Sequence, residues 1–295
     1  MPDFLNTDEA AAYLRLSERK LYELVAAGAI PCSKVTGRWL FPKAALDRWV
    51  TSGLPNAMKS FDEQAPPIVG GSTDPLLEWA LRESGSGLAS LPEGSEAGLR
   101  RLARREVMLA AIHIHVAGES ADAANIAAVS QASGLHDAVL IAFARREQGL
   151  LVAPGNPHGI GSLGDIAGTG LRLAQRQSGA GAQLLLQTQL SVAGIDPRQI
   201  AMIKPPCATG SDLAQMMRTG HADCGIATRA VAQAAGLDFV PLLWENFDLV
   251  LRQRDYFLPG PSALFAFVRS EHFHRRAADL GGYDLSACGT VRLVV

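Results

Sequence analysis

The sequence predicts an α/β protein in two parts: a small N-terminal module of helices and a hairpin, then a larger body of alternating strands and helices. Three observations predict it. The chain has 295 residues, and at roughly 100–200 residues per domain that length argues for two domains. The segment up to Val50 carries its own set of helix caps and turn residues. From Ile68 onward, short apolar runs alternate with helix-start signals, the pattern of a mainly parallel sheet.

Composition excludes several classes of function. Hydrophobic residues make up 48% and charged residues 19%, an ordinary globular balance and not that of a disordered chain. The 27 Lys and Arg nearly match 29 Asp and Glu, for a net charge of -2, so the chain is not coated in positive charge. Aromatics are 6%, too few for a stacking surface for single-stranded nucleic acid. No stretch approaches the roughly 18 apolar residues of a membrane span. The start has no basic segment followed by an apolar one, so no secretory signal is expected. Cys32, Cys207, Cys224 and Cys288 lie far apart with no CxxC pair. They read as reduced thiols of a cytoplasmic protein.

In the N-terminal segment Asn6 or Thr7 caps a first helix; with Asn6 as the cap, Glu9 falls at the capping-box position. Ala10, Ala11 and Leu14 form its apolar stripe. Ser17 caps a second helix that buries Leu21, Leu24 and Val25, and Gly28 stops it. Runs rich in strand formers flank Thr36-Gly37 as a short hairpin. Pro42 opens a third helix through Val50, with Leu46 and Trp49 facing inward. Helix, turn, helix, hairpin, helix is the order of a winged helix-turn-helix.

The EAAAYL helix, the S-x-x-x-L-Y second helix, the I-P before the hairpin and the G-R-W-x-F-P wing leading into L-D-R-W resemble the excisionase-type, MerR-like DNA-binding family. The resemblance implies that residues 1–52 bind double-stranded operator DNA, with the start of the second helix foremost in the major groove. Ser17, Arg19, Lys20 and Tyr22 are the candidates there. Lys34 and Arg38 lie on the wing, within reach of backbone or minor groove. Residues 53–66 show neither period and read as a linker.

In the body, Ile68–Gly71 is a strand, followed by the hydroxyl-rich turn Ser72-Thr73-Asp74-Pro75 and a helix. The same succession recurs around Glu93–Glu96 and around Gln175–Gly181, and Val107–Val116 reads as a buried strand. Ligands in such sheets sit beyond the carboxyl ends of the strands, where helix N-termini point. REQGL at Arg146–Leu150, Gly155-Asn156-Pro157, the Arg176–Gly181 turn, His221–Gly225, Gly236–Leu242, Glu245-x-Phe247-Asp248-Leu249 and Leu280–Asp284 occur in order. Together they resemble the periplasmic-binding-protein-like domain related to molybdate and tungstate binding proteins.

That resemblance implies a two-lobed type II α/β domain over residues 67–295. Lobe I takes residues 67–150 and 245–295, and lobe II residues 151–244, with hinge crossings near Leu150–Ala153 and Leu243–Leu249. It implies a ligand-binding set of Ser72, Thr73 and Asp74 at the first turn, Ser95 at the second helix, His113 and Asn125, then Arg176, Ser178 and Gly179 in the lobe II turn, with Thr209 and the hinge acids Glu245 and Asp248. Such a set of hydroxyls, helix N-termini and a guanidinium satisfies an anion's acceptor oxygens. The chain departs from the family at Gly179-Ala180-Gly181-Ala182-Gln183, where Gly-Ser-Gly-Thr-Arg is common, and at Thr209-Gly210, where Thr-His is common. A wider, less polar turn is expected, suited to a larger or less charged ligand.

Other signals carry less. Gly159–Gly164 matches GxGxxG but lacks the acidic residue that a dinucleotide site needs about twenty positions on. His113 and His115 have metal-like spacing on one strand face, but no third ligand is evident, so no metal and no cofactor are expected. Arg100, Arg101, Arg104 and Arg105 form a basic helical stripe read as a solvated face. No HExxH, Walker loop or nucleophile elbow occurs, and catalysis is not expected.

The expectation is a cytoplasmic one-component transcriptional regulator, a homo-dimer or tetramer. Its cleft would sense an oxyanion such as molybdate or tungstate, or a small organic acid. The alternatives are a cytosolic small-molecule or oxyanion carrier without gene regulation, an enzyme on the same scaffold, and an excisionase-like architectural protein.

Overall fold

The computed structural model describes residues 4–35, 37–52, 64–116 and 121–295. The chain divides into two compact units, Met1–Gln64 and Ala65–Val295. The expected linker lies outside the described residues except for Gln64, Ala65 and Pro66.

In the first unit the order is β1 (Phe4–Leu5), α1 (Thr7–Leu14), α2 (Glu18–Ala26), β2 (Ser33–Val35), β3 (Arg38–Pro42) and α3 (Lys43–Ser52). Asn6 and Glu9 close a reciprocal capping box, each side chain accepting from the other's backbone N–H at 2.9 Å. The Ser17 hydroxyl accepts from Lys20 N at 3.3 Å and starts α2. Gly28, at φ +62°, ends it in the left-handed conformation that glycine adopts without steric cost. The strands run antiparallel in the order β1-β3-β2. Leu5, Ala10, Ala11, Leu21, Ile30, Phe41 and Leu46 form the core. Trp49 packs on its edge and donates its indole N–H to Ala29 O at 2.6 Å. β1 is too short for any period to announce it.

The second unit contains β4 (Ile68–Gly71), α4 (Pro75–Glu83), β5 (Ala89–Pro92), α5 (Ser95–Ala103), β6 (Leu109–Ile112), α6 (Ala121–Gln131), β7 (Ala138–Val152), β8 (Arg172–Ala174) and α7 (Gly181–Val192). It continues through β9 (Ala201–Met202), α8 (Gly210–Arg218), β10 (Cys224–Thr228), α9 (Arg229–Ala235), β11 (Asp238–Arg252), α10 (Pro259–Phe267), α11 (Glu271–Leu280), β12 (Tyr283–Asp284) and β13 (Val291–Val294). The ten strands form one sheet in the order β5-β4-β6-β11-β7-β10-β8-β9, with β12 and β13 also on β7.

Two long strands organise this sheet. β7 and β11 pair antiparallel from Asp238↔Val152 to Arg252↔Ala138. One end of this ribbon joins β6, β12 and β13 in lobe I. The other end joins β10 in lobe II. Each lobe packs apolar residues on both faces of its sheet. Along β7, Leu150 and Val152 face one lobe II cluster and Leu151 the other, as the strand period requires. β7 passes from β12 at Arg146 to β10 at Gln148. The first crossing therefore precedes the expected Leu150–Ala153. At the crossing Arg146 and Gln148 are buried in mid-strand. Among the described residues no helix is long and apolar enough to cross a membrane.

Candidate functional site

The cleft between the lobes is built from turns that follow parallel strands. The turn after β4 brings Ser72, Thr73 and Asp74 to the start of α4, with Glu78 one turn on. His113 follows β6, and Arg146 and Gln148 project from the crossing of β7. From lobe II come Arg176, Ala182, Gly210, Ser211 and Thr228. The space, open mouth included, is about 450 Å³.

A buried charge network underlies it. Glu245 is 1% exposed. Its Oε1 accepts from Arg146 Nε at 2.6 Å and Gln148 Nε2 at 2.9 Å. Its Oε2 accepts from His113 Nδ1 at 2.9 Å and His115 Nε2 at 2.6 Å. Four N–H donors fill the lone pairs of one carboxylate, with both imidazoles in the matching tautomers. Arg146 also donates to Asp74 Oδ2 at 2.9 Å and lies over Phe247 at 4.0 Å. Tyr283 donates to Asp74 at 2.9 Å. Asp74 further caps α4, accepting from Leu76 N at 2.8 Å and Leu77 N at 3.2 Å.

The network sets its own protonation. Burial pushes His113 down to about 4, with Arg146 and His115 adding to the effect and Glu245 opposing it. Burial also disfavours charge on Glu245, but His113 and Arg146 outweigh it and hold the carboxyl well below its usual range. Burial likewise works against charge on Arg146, and Glu245 and Asp74 overcome it. The result is a buried guanidinium and a buried carboxylate that hold each other charged, beside a His113 imidazole kept neutral.

Arg176 differs in kind. Its Nε donates to Cys207 O at 3.1 Å and an Nη to Ala208 O at 2.7 Å. Its backbone N–H donates to Gln183 Oε1 at 3.0 Å. Only carbonyls hold the guanidinium, and no carboxylate pairs with it among the described residues. Burial, with the Arg146 charge, brings its pKa down to about 10, so it stays cationic at neutral pH.

Of the expected ligand residues, Ser72, Thr73, Asp74, His113 and Arg176 line this cleft together. Ser95 stands behind it: its hydroxyl bridges Ser72 Oγ at 2.8 Å and the His113 backbone at 3.0 Å. Asn125 is a tie and not a lining residue, accepting from Ile114 N and donating to Asn246 O and Asp248 Oδ2. Asp248 pairs with Arg292 at 3.2 Å, away from the cleft lining. Ser178 is exposed and faces a separate lobe II groove with Lys204 and Pro206. Gly179 serves a contact between lobes, its carbonyl accepting from Glu96 N at 3.4 Å. The Thr209 hydroxyl is committed to Asp212 in the cap of α8, which leaves Gly210 and Ser211 to face the cleft. Glu245 lies one layer behind the lining.

Two expectations are corrected. The lobe II turn is not widened: a Cβ on Gly181 would overlap the His113 carbonyl and ring, so glycine here permits close approach of the lobes. Nor do His113 and His115 lack a third partner, because Glu245 brings a carboxylate oxygen within 4.8 Å of both ring nitrogens. Hydrogen bonds alone already saturate that oxygen. Sequence reading missed Glu78, Ser211 and Thr228. It held Arg146 and Gln148 only as part of the REQGL run, whose alternation of the two on one strand face was the available signal.

In the first unit, Arg19 and Lys20 project from the start of α2, their side chains 90% and 57% exposed, both near Glu23. Tyr22 is exposed on the same helix. Lys34 and Arg38 are exposed on the hairpin, Lys34 5.4 Å from the Trp39 ring. The Ser17 hydroxyl is spent on its cap.

Residues 4–53 match the helix-turn-helix domain, and residues 78–269 match the PBP superfamily domain. The chain belongs to the PBP superfamily. The uncharacterized protein YvgK of Bacillus subtilis (strain 168) is 24% identical over 301 residues, covering 97% of this chain and 96% of that protein. Among solved structures, a phosphate ABC transporter substrate-binding protein with bound phosphate from Clostridium perfringens aligns at TM-score 0.53 and 11% identity. It covers 76% of this chain and 98% of that one. A tungstate ABC transporter structure from Geobacter sulfurreducens aligns at TM-score 0.51 and 13% identity, covering 72% and 97%. These likenesses show the PBP fold. Both expected modules, the excisionase-like helix-turn-helix and the periplasmic-binding-protein-like body, are thus present, and together they make a DNA-binding regulator with a ligand-binding domain.

Proposed function

We propose that the chain is a one-component transcriptional regulator that binds double-stranded operator DNA through α2 and the wing and a small anionic or polar effector in the cleft. The observation that carries the reading is Arg176, a cleft cation held only by carbonyls, on the same chain as a helix-turn-helix that exposes Arg19 and Lys20. The start of α8 adds backbone donors beside it. The phosphate and tungstate proteins of the same fold support an oxyanion of that size or a small organic acid. The effector is bound and not turned over. The protein acts in the cytoplasm, where operator DNA is, as a homo-dimer or tetramer on paired half-sites.

The test is a gel shift of the full chain on DNA upstream of its own gene, with a thermal-shift screen of phosphate, sulfate, molybdate, tungstate and small carboxylates. A sequence-specific shift altered by an anion that also stabilises the protein is the expected result. No specific shift under any condition removes the regulator reading. An anion recovered chemically altered removes the binding-only reading.

A further inference from the structure

The cleft presents hydrogen-bond acceptors beside its cations. Gln148 is 2% exposed, and its amide orientation is fixed: Nε2 donates to Glu245 Oε1 at 2.9 Å, and a carboxylate offers no donor in return. Its Oε1 is therefore turned away from Glu245, in a residue that lines the cleft, and has no hydrogen-bond partner. Glu78 lines the same cleft, and its carboxylate makes no hydrogen bond or ion pair among the described residues. Around the cleft the cations Arg146 and Arg176 stand with three carboxylates, Asp74, Glu78 and Glu245. Asp74 and Glu245 are consumed by Arg146 and the network, so apart from hydroxyls, which can turn to donate, the Glu78 carboxylate and the Gln148 carbonyl are the side-chain acceptors left for a ligand.

We infer that the effector is a small anion that also donates at least one hydrogen bond: a protonated oxyanion or a hydroxy acid, not a fully deprotonated tetrahedral oxyanion. A donor-free dianion would satisfy Arg176 and the helix start but would leave the Gln148 oxygen buried without a donor and would set its own oxygens against Glu78. A ligand with an O–H meets both demands at once, its anionic oxygens on Arg176 and its O–H on Gln148 Oε1 or Glu78. Burial, with the charge of Asp74 adding, raises the Glu78 pKa, which fits a carboxyl placed to share a proton with a ligand. The inference rests on the anion-binding reading of the cleft and narrows it.

Calorimetry on the full chain at pH 7.5 and constant ionic strength tests it with two pairs of probes. Inorganic phosphate against sulfate, with molybdate and tungstate beside it, reads the inorganic source. Glycolate against acetate reads the organic one. In at least one pair the donor-bearing member binds about ten-fold tighter or more. Glu78→Gln, which places an amide donor where only an acceptor stood, narrows that ratio several-fold toward the donor-free member, with the unfolding midpoint checked alongside. Sulfate or molybdate binding as tightly as phosphate, together with acetate matching glycolate, overturns the inference and leaves the anion cleft standing. An unchanged ratio in Glu78→Gln also overturns it. If none of the probes binds, the anion reading itself falls, and this inference with it.

Discussion

Gly181, at the first turn of α7 in lobe II, lies against the backbone carbonyl and ring of His113 in lobe I, so close that no Cβ fits between them. With the Glu96–Gly179 hydrogen bond, this contact closes the lobes on each other. Gly181→Ala is expected to hold the cleft ajar and weaken effector binding by about ten-fold or more, since a ligand gains only by its preference for the closed form. The unfolding midpoint should stay near wild type. Calorimetry together with small-angle scattering reads both, and unchanged affinity in the variant would count against lobe closure as the binding step.

Arg176→Ala removes the one cleft cation without a carboxylate partner among the described residues. Effector-induced thermal stabilisation should disappear, with affinity down by at least about ten-fold, because hydrogen bonds to charged groups are the strong ones. Basal DNA binding should persist. Loss of DNA binding with ligand affinity intact would reverse the assignment.

Arg19→Ala combined with Lys20→Ala should do the opposite. Both side chains are solvent-facing, so folding and ligand binding should stay intact. The salt dependence of DNA affinity should fall by about one unit of slope for each phosphate that the variant no longer neutralises. Anisotropy titrations at several salt concentrations measure this; an unaltered slope means that α2 does not meet the DNA backbone.

Asp74→Ala strips α4 of its cap and leaves the buried Arg146 guanidinium with only one carboxylate. The cost should be about 3–5 kcal/mol of unfolding free energy, dominated by the uncompensated charge, with the missing cap a smaller part of about 1 kcal/mol. Urea denaturation checks it. A cost below about 1 kcal/mol would mean that Arg146 finds another partner.

Acid should unfold the second unit early. His113 titrates at about 4 in the fold against an ordinary 6.5, so between those values the unfolded chain takes up a proton that the folded chain refuses. Stability is full above pH 6.5 and falls as pH drops toward 4. Loss of the Glu245 carboxylate, held low by His113 and Arg146, adds in the same direction below about 4.5. His113 alone should remove roughly 2–3 kcal/mol by pH 4.5. His113→Gln should flatten the stability curve above pH 4.5; an equally steep curve would place the acid sensitivity elsewhere.

The first unit was legible almost residue by residue, because its determinants are local: Asn6 with Glu9, Ser17 and Gly28 act within a few positions or one turn. The alternation of the body was legible for the same reason. The site was legible at Ser72–Asp74, His113 and Arg176, each in a turn that follows a strand. What escaped was long-range. Glu245 meets His115 across 130 positions of chain, and no local pattern reports a partner at that distance. Arg146 and Gln148 stood only inside the REQGL run, because nothing local shows that a strand passing through two lobes buries polar side chains at the crossing. Glu78 carries no local signal; the fold alone brings it to the same cleft as Gln148.

The paired run of β7 and β11 restricts how the second unit can move. Sliding one lobe past the other would shear a ladder of backbone hydrogen bonds along its whole length, whereas bending at the steps Pro241/Leu243 and Phe247/Asp248 falls where the register is already irregular. The ribbon thus leaves essentially one easy degree of freedom, a swing about a single line. Whatever occupies the cleft is converted into an angle, and an angle can be graded by how far a ligand pulls the lobes together.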